Sequence, residues 1–322
     1  MRQVMNILVV AMLAGPALVL GQAGDVNKVL ADMKAAIGGA DTVAAVRSLT
    51  ATGRTMRTVQ SGTTVENEFE LAMELPDKYM MRTVLGNMGN MSVYRNAGFN
   101  GGGLINLIDQ PPMLGGGGGG GQIMVRAIGT GGAVGGGTAP TPEQQAESNR
   151  LMLQGQKREF ARLVLALFGS SYEAFPLEFS FAGEAEAADG KAWVIDVTGA
   201  DDFTTRLFVD AKTHLPLMQS WMALAPVVMQ PVINRSGDGS ARLSEEDARK
   251  MMADAEARRA AAEAERTLVE YRIYYSNFRQ VNGLRLPHTL QRSIDGRPTE
   301  ETTFEQFRIN PKIDPRKFEV TK

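Results

Sequence analysis

The sequence predicts an α+β fold in which helices dock on an antiparallel β-meander, and three observations predict it. Short segments alternate apolar and polar residues with a period of two, as in Phe69, Leu71, Met73 and Leu75 against Glu68, Glu70, Ala72 and Glu74, which places one strand face in a core and three carboxylates in water. Asn282-Gly283 and Asp295-Gly296 fall between such segments and supply the positive-φ pairs of tight hairpins. Stretches with apolar residues at helical spacing open on capping residues.

Taken in order, Arg2 gives a positive n-region and Ile7–Leu20 an apolar segment interrupted by Gly15 and Pro16, too short to span a bilayer comfortably. Residues 1–21 are expected to be a cleaved export signal, cut after Gly21 or Ala23, so that the mature chain starts near Gln22 in the periplasm or beyond; an uncleaved anchor is the alternative. Residues 22–322 are expected to form a single domain with a glycine-rich insertion at 98–141 and a charged helical insertion at 242–266. The chain has no cysteine, which excludes disulfides, thiolate metal sites and lipid attachment at a cleavage-site cysteine. Its 34 Lys and Arg nearly cancel 36 Asp and Glu. No basic stripe occurs, which removes the electrostatic term that dominates nucleic-acid affinity.

Val26, Val29, Leu30, Met33 and Ile37 recur at helical spacing behind Asp25 as N-cap, and Gly38-Gly39 ends the run. Asp41 can cap a shorter piece carrying Val43 and Val46, after which the sheet is expected to start near Arg47. Pro76-Asp77 turns the Phe69 strand into Lys78–Leu85. From Gly98 to Pro142 glycine dominates, with an unbroken run Gly115–Gly121. This composition predicts a flexible loop with no packed element, and no phosphate-binding spacing occurs within it. Thr141, Pro142 and Gln144 then make a capping box with proline at the first helical position, predicting a long helix to Phe168 with Gly169 as stop.

Strands follow at Leu177–Phe181, Trp193–Val197, Thr205–Val209 and Leu215–Met222. Ser244–Asp247 opens an Ala/Glu/Arg-rich helix to Arg266, and three closing strands run over 268–278, 284–293 and 299–309.

Chemistry-bearing patterns are sparse. His214 and His288 are the two histidines, read as a turn residue and a structural strand residue, and the common zinc-peptidase and serine-hydrolase signatures are missing. Asp201-Asp202 and Glu300-Glu301 read as solvated turn and edge charges, because neighbours on a strand point to opposite faces and calcium loops need spaced ligands. The chain is expected to be no enzyme and to need no cofactor and no metal. Of its 18 methionines, Met80, Met81, Met88 and Met91 cluster near one hairpin and Met218, Met222 and Met229 in another region, as core packing or as an adaptable apolar lining.

One resemblance is carried by Tyr275–Arg279, by Val281-Asn282-Gly283-Leu284-Arg285-Leu286-Pro287-His288, by Ile309-Asn310-Pro311-Lys312-Ile313-Asp314 with Phe318, by Leu207–Leu217 and by Ala35–Gly53. Together these segments resemble the outer-membrane lipoprotein-sorting, or lipoprotein carrier-like, superfamily. The resemblance implies a strongly curved antiparallel sheet, an incomplete barrel, with helices on its concave side and an apolar cavity between them. It implies binding of a lipid, acyl chain or lipoprotein, with at most peripheral membrane contact. Inward-facing candidates for such a lining are Phe69, Leu71, Met73, Met81, Phe179, Phe181, Trp193, Ile195 and Trp221. The alternative is a structural or protein-interaction module of the envelope with a fully packed core.

Overall fold

The computed structural model describes residues 25–58, 62–88, 91–109, 141–187, 190–226 and 245–320. The expected leader and the Gly115–Gly121 run lie outside them, as does Met229. Helix α1 (Val26–Ile37) and the short α2 (Ala40–Ala44) lead into β1 (Ser48–Thr58), β2 (Thr64–Glu74), β3 (Lys78–Met88), β4 (Met91–Asn100) and β5 (Gly103–Asp109). Helix α3 (Pro142–Phe168) separates these from β6 (Leu177–Ala187), β7 (Gly190–Gly199), β8 (Phe203–Asp210) and β9 (Pro216–Leu224). After α4 (Glu245–Ala264) come β10 (Leu268–Val281), β11 (Leu284–Ile294) and β12 (Arg297–Ile309).

All twelve strands form one curved, open antiparallel sheet in the order β5-β4-β3-β2-β1-β12-β11-β10-β9-β8-β7-β6. Two meanders thus meet at the β1–β12 ladder, which joins the beginning of the chain to its end: Leu49 pairs with Ile309 and Ala51 with Phe307. Hairpin chemistry fixes the register. Asn282 and Asp295 adopt φ of 47° and 49° ahead of Gly283 and Gly296, the left-handed pair that two-residue hairpins require. His214 also sits at positive φ, 57°, in the turn before β9.

Capping sets the helix limits. Asp25 accepts from the Asn27 amide at 2.9 Å. Thr141 and Gln144 exchange backbone–side-chain hydrogen bonds at 3.2 and 2.9 Å, a complete capping box. Gly169 ends α3 at φ 59°, where an added Cβ would stand 2.5 Å from the Met33 methyl. The α3 stop therefore also sets how closely α1 approaches.

Both helices pack on one face of the sheet. Met33 and Ile37 of α1 and Phe160, Leu165 and Phe168 of α3 are fully buried against Leu49, Leu71, Met73, Ile195 and Leu207. Each such side chain contributes about 1.5–3 kcal/mol of burial. Asn310, at φ 54°, ties the close of β12 to the entry of β1: its side chain accepts from the Arg47 amide at 2.7 Å and donates to the Ala45 carbonyl at 3.0 Å.

Two expectations are corrected. Strands β4 and β5 run through the first part of the 98–141 segment, so its glycines do not exclude packed structure; Gly98 is required there because a Cβ would come within 2.0 Å of the Tyr79 carbonyl. The outer face of β2 is also not simply solvated. Ala72 is buried with Met80 and Ile105 beneath Ile313 and Phe318 of the C-terminal tail, and Lys317 pairs with Glu70.

A cavity between helix α3 and the sheet

Strand alternation sets Tyr79, Met81, Thr83 and Leu85 of β3 on the helix-bearing face, beside Ala97 and Arg95 of β4, which pair with Met81 and Thr83. The outer part of α3 passes over them with Gln156, Glu159 and Leu163, and the three leave a cavity of about 440 Å³. Leu290 of β11 and Phe304 of β12 complete its apolar lining. Phe304 in turn packs edge-on against Phe69, with ring centroids 5.4 Å apart.

Charge is concentrated along one wall. Arg292 Nη2 donates to Glu159 Oε2 at 2.8 Å, and its Nε lies 3.3 Å from Glu300 Oε1. Glu300 also receives Arg57 at 2.6 Å, and Glu159 receives Arg162 at 3.1 Å. Burial opposes ionisation of Glu159, but the guanidinium groups of Arg292 and Arg162 outweigh it and hold its carboxyl below the usual carboxylate range. Burial likewise works against the Arg292 charge, and Glu159 and Glu300 restore it beyond the ordinary arginine value. Burial pushes the Tyr79 hydroxyl well above the tyrosine range, so it stays neutral at any ordinary pH. This series of ion pairs links α3 to β11, β12 and β1 through fixed charges, while the β3–β4 side mixes Met81, Leu85 and Ala97 with Thr83 and Arg95.

Of the nine candidate lining residues, Met81 faces this cavity and Phe69 supports its floor. Leu71, Met73 and Ile195 share that face but are sealed in the packed core at 0 % exposure. Phe179, Phe181, Trp193 and Trp221 are half-buried on the same face of the opposite half-sheet. There Phe181 meets Trp193 at 6.2 Å, and Trp221 stacks on Tyr271 at 5.5 Å beneath the Arg162 guanidinium. Glu300 departs from its expected role: at 15 % side-chain exposure it is the shared partner of two arginines rather than a solvated edge charge.

Other concavities lie among the described residues, two of which bear on the reading. A cleft of about 590 Å³ lies among the ends of α1, α2 and α3, lined by Lys34, Val43, Arg47, Leu75 and Tyr172. A groove of about 350 Å³ runs on the helix-free face over Ala192, Phe208, Met218 and Tyr274. Neither lies between helix and sheet. Among the described residues no group of His, Asp and Glu could hold a metal ion, and no helix is long and apolar enough to cross a membrane.

No protein-family model matches the chain, and no curated protein matches it. Among solved structures, the fold is similar to an outer-membrane lipoprotein-sorting protein domain from Vibrio parahaemolyticus at 8% identity and TM-score 0.43, covering 90% of this chain and 94% of that one. A LolA superfamily protein from Nitrosomonas europaea is similar at 8% identity and TM-score 0.46, covering 92% and 98%. A DUF1329 family protein from Desulfovibrio piger is similar at 8% identity and TM-score 0.42, covering 91% and 97%. At these identities and TM-scores, what the cavity does rests on its own residues.

Proposed function

We propose that this chain is an exported cell-envelope protein that holds an apolar or amphiphilic ligand, a lipid, an acyl chain or an acylated protein, between α3 and the sheet, and performs no chemistry on it. The observation that carries the reading is the cavity itself. Its volume, about 440 Å³, lies in the range of about 300–1,000 Å³ usual for small-molecule sites, which are mostly apolar with a few placed polar groups. Met81, Leu85, Leu163, Leu290 and Phe304 supply the apolar part. Each methylene moved from water into such a lining gains about 0.8 kcal/mol, so a short stretch of acyl chain outweighs the cost of ordering it. The leader-like residues 1–21 support an extracytoplasmic setting, where a lipid crossing water needs a protein lining.

The test is native mass spectrometry with lipid extraction on the mature chain, beside an Ala97→Trp variant that fills the cavity from β4. The expected result is a co-purifying acylated species in the parent that Ala97→Trp loses while keeping its circular dichroism spectrum. A clean apo mass, with no uptake of added palmitate, overturns the reading and turns the search toward a protein partner.

A further inference from the structure

Four arginines lie on the five strands of the first meander, and three of them are satisfied by other side chains. Arg54 binds Glu66 and Glu305, Arg57 binds Glu300, and Arg82 binds Asp109 while lying 3.9 Å over the Tyr94 ring. Arg95 differs. It is half-buried in the cavity wall, and among the described residues it has no hydrogen bond, ion pair or ring contact. Its register neighbours on β3 and β5 are Thr83 and Ile108, neither of which can neutralise it. None of its nitrogens is sealed from solvent, so the guanidinium's donors are open to an arriving anion.

The two carboxylates of the cavity are already committed to Arg57, Arg162 and Arg292. Arg57 on β1 is three strands away from Arg95 on β4, about 14 Å along the sheet at ~4.8 Å per strand. The cavity thus presents one uncompensated cation, with the Met81–Ala97 pair two residues along the strands from it and Leu163 of α3 lining the same cavity. That juxtaposition has the shape of a headgroup site on an acyl site.

Resting on the cavity reading above, we propose that Arg95 selects amphiphiles with a single anionic group, a carboxylate or phosphate, whose apolar tail occupies the space beside Met81 and Leu163. Planar bidentate pairing with either oxyanion is the geometry at which a guanidinium excels. Ser, Thr or amide groups would serve a neutral headgroup equally well, and an arginine would not.

The experiment measures competition of palmitate, palmityl phosphate and palmityl alcohol against a neutral fluorescent reporter on the mature chain. Arg95→Gln and Arg95→Lys are the variants, with Arg54→Gln on the opposite face as control. The two anions are expected to bind the parent and Arg54→Gln about 10- to 100-fold tighter than the alcohol, the range of a charge-assisted hydrogen bond. Arg95→Gln should erase that preference and Arg95→Lys retain part of it. Equal binding of alcohol and anions to the parent, or a preference that survives Arg95→Gln, overturns the assignment while leaving the cavity reading standing. Failure of all three amphiphiles to displace the reporter, with no binding by direct dialysis, overturns both. Displacement by inorganic phosphate at the concentration where palmityl phosphate acts would show a free-ion site and overturn the amphiphile assignment.

Discussion

Removing Arg292 should unlatch α3 from the sheet without emptying the core. Arg292 is the only side chain described here that pairs with both Glu159 on α3 and Glu300 on β12, at 2.8 and 3.3 Å. Breaking a fully buried ion pair by deleting one partner costs about 3–5 kcal/mol, whereas exposed pairs are worth about 0–1 kcal/mol. Arg292 and Glu159 are 32% and 36% exposed, and both carboxylates keep a second arginine, so we expect Arg292→Met to cost about 2 kcal/mol at neutral pH, between those limits. Urea unfolding should show this as a lower midpoint at unchanged slope. The sign with pH follows from Glu159, whose folded value lies below its ordinary 4.5. Its contribution is complete above about pH 5 and is lost as pH falls through the lowered value. The gap between parent and variant should therefore shrink toward pH 3. A loss under about 0.5 kcal/mol, or one that is the same at pH 3 and pH 7, would refute a charge latch between α3 and the sheet.

Further outcomes follow from single contacts. Phe160→Ala removes a fully buried ring that meets Tyr79, Phe99 and Tyr172 at 5.9, 5.4 and 6.2 Å, and should cost about 3–5 kcal/mol by denaturant titration. Gly53→Ala places a Cβ 2.0 Å from the Thr303 carbonyl, so it should distort the β1–β12 ladder and lower the thermal midpoint by several degrees, at roughly 2 °C for each kcal/mol in a domain of this size. His288 is buried against Phe307 at 5.1 Å, and that burial lowers its pKa below 6.5; stability from the neutral ring is complete above about pH 6.5 and is lost as pH falls through the lowered value, a slope that His288→Phe should flatten in thermal scans. Phe318→Ala strips the tail from Ala72, Met80 and Ile105, and limited proteolysis should then cut near residue 312 while the sheet stays resistant.

Much of the fold could be read locally because local chemistry decides it. The α3 limits follow from Thr141, Gln144 and Gly169, and the last hairpins from Asn282-Gly283 and Asp295-Gly296, all of which act within four residues. Strand β5 was illegible for the same reason in reverse. Gly98 and Gly101–Gly103 give the composition of a loop, yet the first allows close strand approach and the others make the turn into Leu104. Ala72 shows a second limit: period two separates two faces but does not say that a tail more than two hundred residues later covers the outer one.

The polar half of the cavity was hidden more deeply. Arg57, Arg95, Glu159, Arg292 and Glu300 come from five different elements, and each alone reads as an exposed charge. A partial signal existed at Glu300-Glu301, since adjacent strand carboxylates face opposite ways and one of them had to lie on the Leu290 and Phe304 face. The apolar candidates show another limit of the sequence. Alternation gives the face of Phe69, Leu71, Met73 and Ile195 but not what packs over it: these four join the core under α1 and α3, while Met81 lines the cavity.

Photo-crosslinking with a diazirine-bearing palmitate, followed by peptide mapping, tests the central claim most directly. Ligand seated between α3 and the sheet predicts labels on the peptides carrying Met81, Ala97 and Leu163, competed away by unlabelled palmitate and absent in Ala97→Trp. Labels confined to the outer groove at Phe208 and Met218, or spread evenly and indifferent to competitor, would contradict it.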